Sequence, residues 1–132
     1  MKITVHGAPI AKKRPRFARI GKGVRTYSDQ HTEEGRWLWE AQQQIKEVLE
    51  GPLKASFAFY MTIPKSTGKK SRQTMLDQYV PHIKKPDLDN LIKFAKDCLN
   101  GVAWVDDSQV CVIEAYKCYG GKPRTVIVIN EA

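Results

Sequence analysis

The chain has 132 residues, and 22 Lys+Arg against 14 Asp+Glu give it a formal net charge of +8. That length suits a single domain spanning residues 1–132, and 42% hydrophobic with 27% charged residues is a globular composition that excludes wholesale disorder. No run approaches the roughly 20 apolar residues of a membrane span, and Met1–His6 has no signal-peptide character, so the expectation is a soluble, cytoplasmic protein without a membrane partner.

In chain order, Ile3 and Val5 alternate with polar residues across Met1–His6, which predicts a short strand ended by Gly7-Ala8-Pro9. Residues 12–27 carry Lys12, Lys13, Arg14, Arg16, Arg19, Lys22 and Arg25 around Gly21 and Gly23, as in a hairpin-like basic arm or a loop. A helix is expected from Ser28-Asp29 to about Leu49, with Trp37, Leu38, Ala41, Ile45, Val48 and Leu49 at helical spacing before Gly51-Pro52. Trp37 and Trp39 cannot share the centre of one stripe, and core packing or a dimer contact accounts for them without a site role. Alternation over Leu53–Ile63 predicts a strand. Residues 65–78 are polar, basic and aperiodic, which reads as a weakly ordered loop. From Asp87 to Gly101, Leu88, Leu91, Ile92, Ala95, Cys98 and Leu99 form an apolar stripe, with Gly101 placed to end the helix. Gln109–Cys118 and Arg124–Asn130 read as strands paired across Gly120–Pro123.

Cys98, Cys111 and Cys118 are an odd set at unmatched spacing, which fits packing in a reducing compartment rather than a disulfide framework. His6, His31 and His82 are scattered, with no pattern of zinc ligands. The charge, by contrast, is clustered. The basic segment 12–25, the run Lys65, Lys69, Lys70 and Arg72, and the pair Lys84-Lys85 fit a polyanion, because each neutralised phosphate releases condensed counterions. Solubility alone would account for the same charges.

Carboxylates gather in the middle of this basic chain. Asp87 suits a helix N-cap, Asp89 the first turn, and Lys93 follows Asp89 by one turn, a pair that on a solvated helix contributes only about 0.2–0.5 kcal/mol. A second pair, Asp106-Asp107, stands before the next strand. Such oxygen donors suit Mg²⁺, with Mn²⁺ as an alternative, which would reconcile them with the phosphodiester that the basic segments attract. Lys93 could then stabilise charge on the scissile phosphate. Capping and surface ion pairs remain the competing account of the same residues.

The stretch Lys84-Lys-Pro-Asp87-Leu-Asp89-Asn90-Leu-Ile-Lys93, then Asp97-Cys-Leu-Asn-Gly101, then Trp104-Val-Asp106-Asp107-Ser-Gln109-Val110, resembles the signature of the RusA-type Holliday junction resolvases. The resemblance implies an α+β fold in two layers, a small mixed sheet packed against two main helices. It also implies a homodimeric, Mg²⁺-dependent endonuclease that nicks four-way DNA junctions symmetrically in recombination and repair, usually encoded by phages or prophages. By position, Asp87, Asp89 and Asp107 match the family's metal-binding catalytic aspartates and Lys93 its catalytic lysine. Asp106 joins the candidate metal set, and Asn90 and Asp97 also fall on motif positions. Pro86 stands where some members carry a basic residue, with Lys84 and Lys85 just upstream. Lys12, Lys13, Arg14, Arg16, Arg19, Lys69, Lys70, Arg72, Lys84 and Lys85 are the candidate DNA contacts, directed at phosphates rather than bases. Two nicks related by a two-fold axis fit a C₂ dimer. The competing functions are a nonenzymatic junction- or duplex-DNA-binding protein and a nuclease for other branched DNA.

Overall fold

The structure, a computed structural model, describes residues 1–13, 16–20, 23–27 and 31–132. Its centre is strand β4, Leu53–Thr62, in which Leu53, Ala55, Phe57, Phe59 and Met61 alternate onto one face and are all buried. A strand that buries one face in this way needs a covering layer. Helix α1 (His31–Gln42) and helix α3 (Leu88–Leu99) supply it: Trp37 and Ala41 from the first meet Leu91, Phe94, Ala95 and Leu99 from the second in one apolar cluster. Trp37 sits edge-on to Phe94 at 5.9 Å between ring centroids.

The other strands are β1 (Lys2–His6), β2 (Arg16–Ile20), β3 (Gly23–Tyr27), β5 (Val110–Gly120) and β6 (Arg124–Glu131), and helix α2 covers Lys69–Gln78. The main sheet has the order β1-β6-β4-β5, with β5 parallel to β4 and β6 antiparallel to both β4 and β1. This mixed sheet under helices is the expected α+β architecture. The basic arm forms the antiparallel hairpin β2–β3, with Ile20 opposite Gly23.

Three expectations are corrected. β5 and β6 are consecutive but not paired, because β4 lies between them and residues 121–123 cross over its end. The crossing is close: a Cβ on Gly120 would stand 3.0 Å from Tyr60 Cβ, and one on Gly121 would stand 2.7 Å from Leu76 Cδ2. Helix α1 stops at Gln42 rather than Leu49. Gln44 is instead held against β1, accepting from Thr4 N at 2.8 Å and donating to Thr4 O at 2.7 Å, and Leu49 N donates to Ala103 O at 2.8 Å. These tertiary bonds outweigh the helical spacing of Ile45, Val48 and Leu49. Finally, residues 69–78 form a helix rather than a loop, yet α2 has no buried residue. Arg72 Nη2 donates to Pro64 O at 2.9 Å and Gln73 pairs with Asp77 one turn on, so local polar bonds shape it without an apolar stripe.

Trp39 is 66% exposed while Trp37 is buried, as two tryptophans that cannot share one stripe require. No described helix is long and apolar enough to cross a membrane. The junction of Trp37 and Phe94 ties both helices to the sheet, so Phe94→Ala should lower unfolding free energy by about 3–5 kcal/mol, measured as a fall in denaturant midpoint at unchanged slope.

Candidate active site

Helix α3 begins where Pro86 delivers Asp87 to the N-cap position, with φ −68° and ψ 144°. Leu91 N donates to Asp87 O at 3.2 Å, so the backbone of Asp87 starts the helix, but its carboxylate accepts no cap hydrogen bond. Asp87, Asp89 and Lys93 are exposed, and none of their side chains has a hydrogen bond or ion pair among the described residues. The expected Asp89–Lys93 surface pair is therefore absent. With Leu91, Phe94, Ala95 and Cys98 buried on the opposite side, the helix presents two uncommitted carboxylates and an uncommitted ammonium to solvent. An open depression of about 420 Å³ lies at this end, lined by Lys85, Pro86, Asp87 and Asn90.

The approach to that end is held from β5. Lys117 Nζ donates to Lys84 O at 2.5 Å and to Pro86 O at 2.6 Å, which fixes the two residues flanking Lys85 immediately before Asp87. His82 N donates to Lys117 O, and the buried His82 ring lies 4.9 Å from that of Tyr119. Burial, and then the neighbouring Lys117 and Lys84 ammoniums, push the His82 pKa below the ordinary histidine value, which keeps the ring neutral.

The second pair of carboxylates is at the far end of α3. Asp107 opens a short 3-10 turn, Asp107–Gln109, and its backbone N donates to Asn100 Oδ1 at 3.1 Å, Asn100 being the residue that ends α3. Trp104 Nε1, inside the core, donates to Asp107 Oδ1 at 2.8 Å and sets the direction of that carboxylate. Asp106 is used differently. Its carboxylate accepts from both the hydroxyl and the backbone N of Ser108, while its own N donates to Gln109 Oε1, a complete capping box. The Ser108 hydroxyl, then the Ser108 N–H, hold the Asp106 carboxyl below the usual aspartate range. Gln109 Nε2 in turn binds Leu49 O and Gly51 O, each at 3.0 Å, anchoring the turn to the rest of the fold.

The expected metal set falls at two places along one chain, Asp87 and Asp89 at the head of α3 and Asp106 and Asp107 beyond its tail. From Asp89 to Asn100 the helix rises about 1.5 Å per residue over eleven residues, so Asp107 stands roughly 16 Å from Asp89 along the axis. Among the described residues, no group of three or more His, Cys, Asp or Glu side chains converges closely enough to hold a metal ion. Magnesium takes one or two carboxylates and completes its shell with waters and phosphate oxygens, so the exposed Asp87 and Asp89 carboxylates are donors of the kind that would hold it.

The candidate DNA contacts divide. Lys69, Lys70, Lys84 and Lys85 are exposed, whereas Arg72 binds Pro64 O. Lys12 is tied down: its N donates to Asn90 O at 3.0 Å, and its Nζ lies 3.4 Å from Glu34 and 3.3 Å from Asp97. Burial alone would lower the Lys12 pKa, but the bonds and charges of Asp97 and Glu34 outweigh it and raise the value above that of ordinary lysine. Lys13 pairs with Glu33 at 3.5 Å. Arg16 and Arg19 lie in β2, and Arg14 lies outside the described residues, as do Ser28 and Asp29, the candidate caps of α1.

Sequence reasoning missed Lys117, Trp104 and Asn100 as positioning groups. Lys117 did carry a signal, since it falls in register with buried Phe59 on the helix-facing side of the sheet, an unusual place for a lysine without partners. The indole and amide bonds to Asp107 carried none, being products of the tertiary turn.

The model of the family described as endodeoxyribonuclease RusA matches residues 6–130. The chain is also similar to the uncharacterized protein YqaN of Bacillus subtilis (strain 168), 32% identical over 140 residues that cover 99% of this chain and 96% of the relative. The match takes in both ends of α3, the β5 lysine and the hairpin, and the chain belongs to the RusA endodeoxyribonuclease family.

Proposed function

We propose that the protein is a Mg²⁺-dependent endonuclease that resolves four-way DNA junctions by paired nicks, acting as a homodimer in the cytoplasm of a bacterial or phage-infected cell. The observation that carries the reading is the head of α3, where Asp87, Asp89 and Lys93 are exposed, close in sequence and unspent on capping or ion pairing. A surface helix with no further role gains from using such groups internally, through a cap or an i, i+4 pair. Here they remain available to a phosphodiester and its counterions, in a chain of the RusA endodeoxyribonuclease family.

The separation of Asp107 from Asp87 and Asp89 bears on the homodimer. A second copy, turned by a two-fold axis, would bring its own Asp107 to the head of the first copy's α3, and the reverse contact would form at the same time. Each site would then draw oxygen donors from two chains, and two sites would face strands related by the same symmetry. Lys93, one turn beyond Asp89, would stand over the scissile phosphate, and Asp106 would serve the turn that carries Asp107 rather than the ion. Around the sites, Lys69, Lys70, Lys84 and Lys85 would meet backbone phosphates.

Two experiments test this reading. A labelled four-way junction should be nicked in paired strands with Mg²⁺, remain intact with EDTA, and remain intact with Asp89→Asn while binding persists; a wild type that binds but never cuts with any divalent ion makes the protein a DNA-binding factor, and equal cutting of flaps or nicked duplex widens the substrate to branched DNA. Neutralising Lys69 and Lys70 together should weaken junction binding and reduce the salt slope by roughly 0.9 per lost phosphate contact, and an unchanged slope removes α2 from the DNA.

A further inference from the structure

The two edges of the main sheet are treated differently. On the β1 edge, Gln44 takes both backbone groups of Thr4, and Glu40 Oε1 accepts from His6 N at 3.0 Å, so side chains from α1 and the turn after it occupy the groups a further strand would use. On the β5 edge, Tyr119 N donates to Val80 O and His82 N to Lys117 O, so residues 80–82 cover positions 117–119. The stretch from Val110 to Tyr116 pairs with β4 on one side, and among the described residues nothing pairs with its other side.

This open stretch reads Val-Cys-Val-Ile-Glu-Ala-Tyr, with one charge and no proline; its register against β4 shifts at its start, where Val110 faces Leu53 and Val112 faces Lys54 with Cys111 as the extra residue, and runs regularly from Val112 on. Val112, Ile113 and Tyr116 are 43%, 41% and 53% exposed. Sheet edges left to solvent are ordinarily blunted with lysines, prolines or bulges, and the regular apolar run beyond the bulge at Cys111 is a template for another strand. We infer that the edge 110–116 is where two copies of this chain join, β5 pairing antiparallel with β5 of the second copy to make one continuous sheet. This inference rests on the homodimer reading above and names its surface.

The register follows from what is uncovered. The midpoint of 110–116 is Ile113, and a two-fold axis there sets Ile113 opposite itself and Val112 opposite Glu114, with the bulge at Cys111 falling toward Ala115 and Tyr116. Extending past the paired stretch, Asp107 runs toward position 119 of the other copy, where residues 80–82 hold the edge and lead, five residues later, into Asp87. The same pairing lays both helical layers on one side of the joined sheet, with the tail of one α3 near the head of the other. The open edge and the split carboxylates, observed independently, thus call for the same two-fold axis.

The test places charge on that axis. Cross-strand like charges directly opposite one another repel, and opposite charges attract. By light scattering, the wild type should show twice the 15.0 kDa mass of the chain. Ile113→Lys and Ile113→Glu should each shift to the single-chain mass while keeping the circular dichroism of the folded wild type, and an equimolar mixture of the two should recover the dimer. Single variants that remain as dimeric as wild type overturn the edge assignment and leave the homodimer standing; a wild type that stays monomeric at every concentration, with and without junction DNA, overturns both. Should either charged variant fail to fold, Ile113→Cys in a Cys111→Ser background decides: oxidised glutathione should link two chains through position 113, and a dimeric protein that never cross-links contradicts the pairing. Junction cleavage by the wild type reports separately on the nuclease reading.

Discussion

The length of α3 is the constraint from which the other features follow. An α-helix is a rigid spacer, and this one is fixed at both ends by bonds that leave little play. Its backbone starts at Asp87, its approach is held by Lys117, and Asn100, which caps its C-terminal end, binds the backbone of Asp107. Side-chain rotation moves a carboxylate by a few ångströms, far less than the roughly 16 Å that the helix puts between Asp89 and Asp107. The carboxylates proposed for phosphodiester chemistry would therefore be two half-sites facing opposite ends of one element, and closure within one chain would require breaking the core that Leu91, Phe94, Ala95 and Leu99 make.

Each half-site is built by a different device. At the head of α3, the fold supplies a carboxylate at an N-cap and leaves its oxygens unspent, while the helix dipole stabilises the negative charge that accumulates there. At the tail, a core tryptophan and a capping box hold Asp107 to one orientation, with Asp106 as the scaffold. The first arrangement is open to solvent and to an approaching phosphate, and the second is stiff. A joint site would combine a receptive face with a fixed one, a division that suits chemistry in which one partner must be preorganised.

Legibility in the sequence tracked the range of the interactions involved. Helix α3, β4 and the basic hairpin were readable because short-range periodicity and glycine placement determine them, and the motif around Asp87 and Asp107 identified the family. The end of α1 was not, because Gln44 and Leu49 are claimed by β1 and by Ala103 from distant parts of the chain. Helix α2 buries nothing, so it leaves no apolar period. The placement of β6 between β1 and β4 is a long-range choice that adjacency of β5 and β6 concealed. In the candidate site, residue identity was legible but separation was not: a list of aspartates does not reveal that a helix stands between them, nor that Lys12 is engaged by Glu34 and Asp97.

The central claim is that each active site takes Asp89 from one chain and Asp107 from another, and subunit mixing tests it directly. Asp89→Asn and Asp107→Asn are each expected to be inactive on a four-way junction with Mg²⁺. When the two are mixed, unfolded and refolded together, mixed dimers would each carry one intact site, so single nicks should return at about a quarter of the wild-type number of sites. A mixture as inert as either variant alone, although mixed dimers form, would contradict the account and place each site within a single chain.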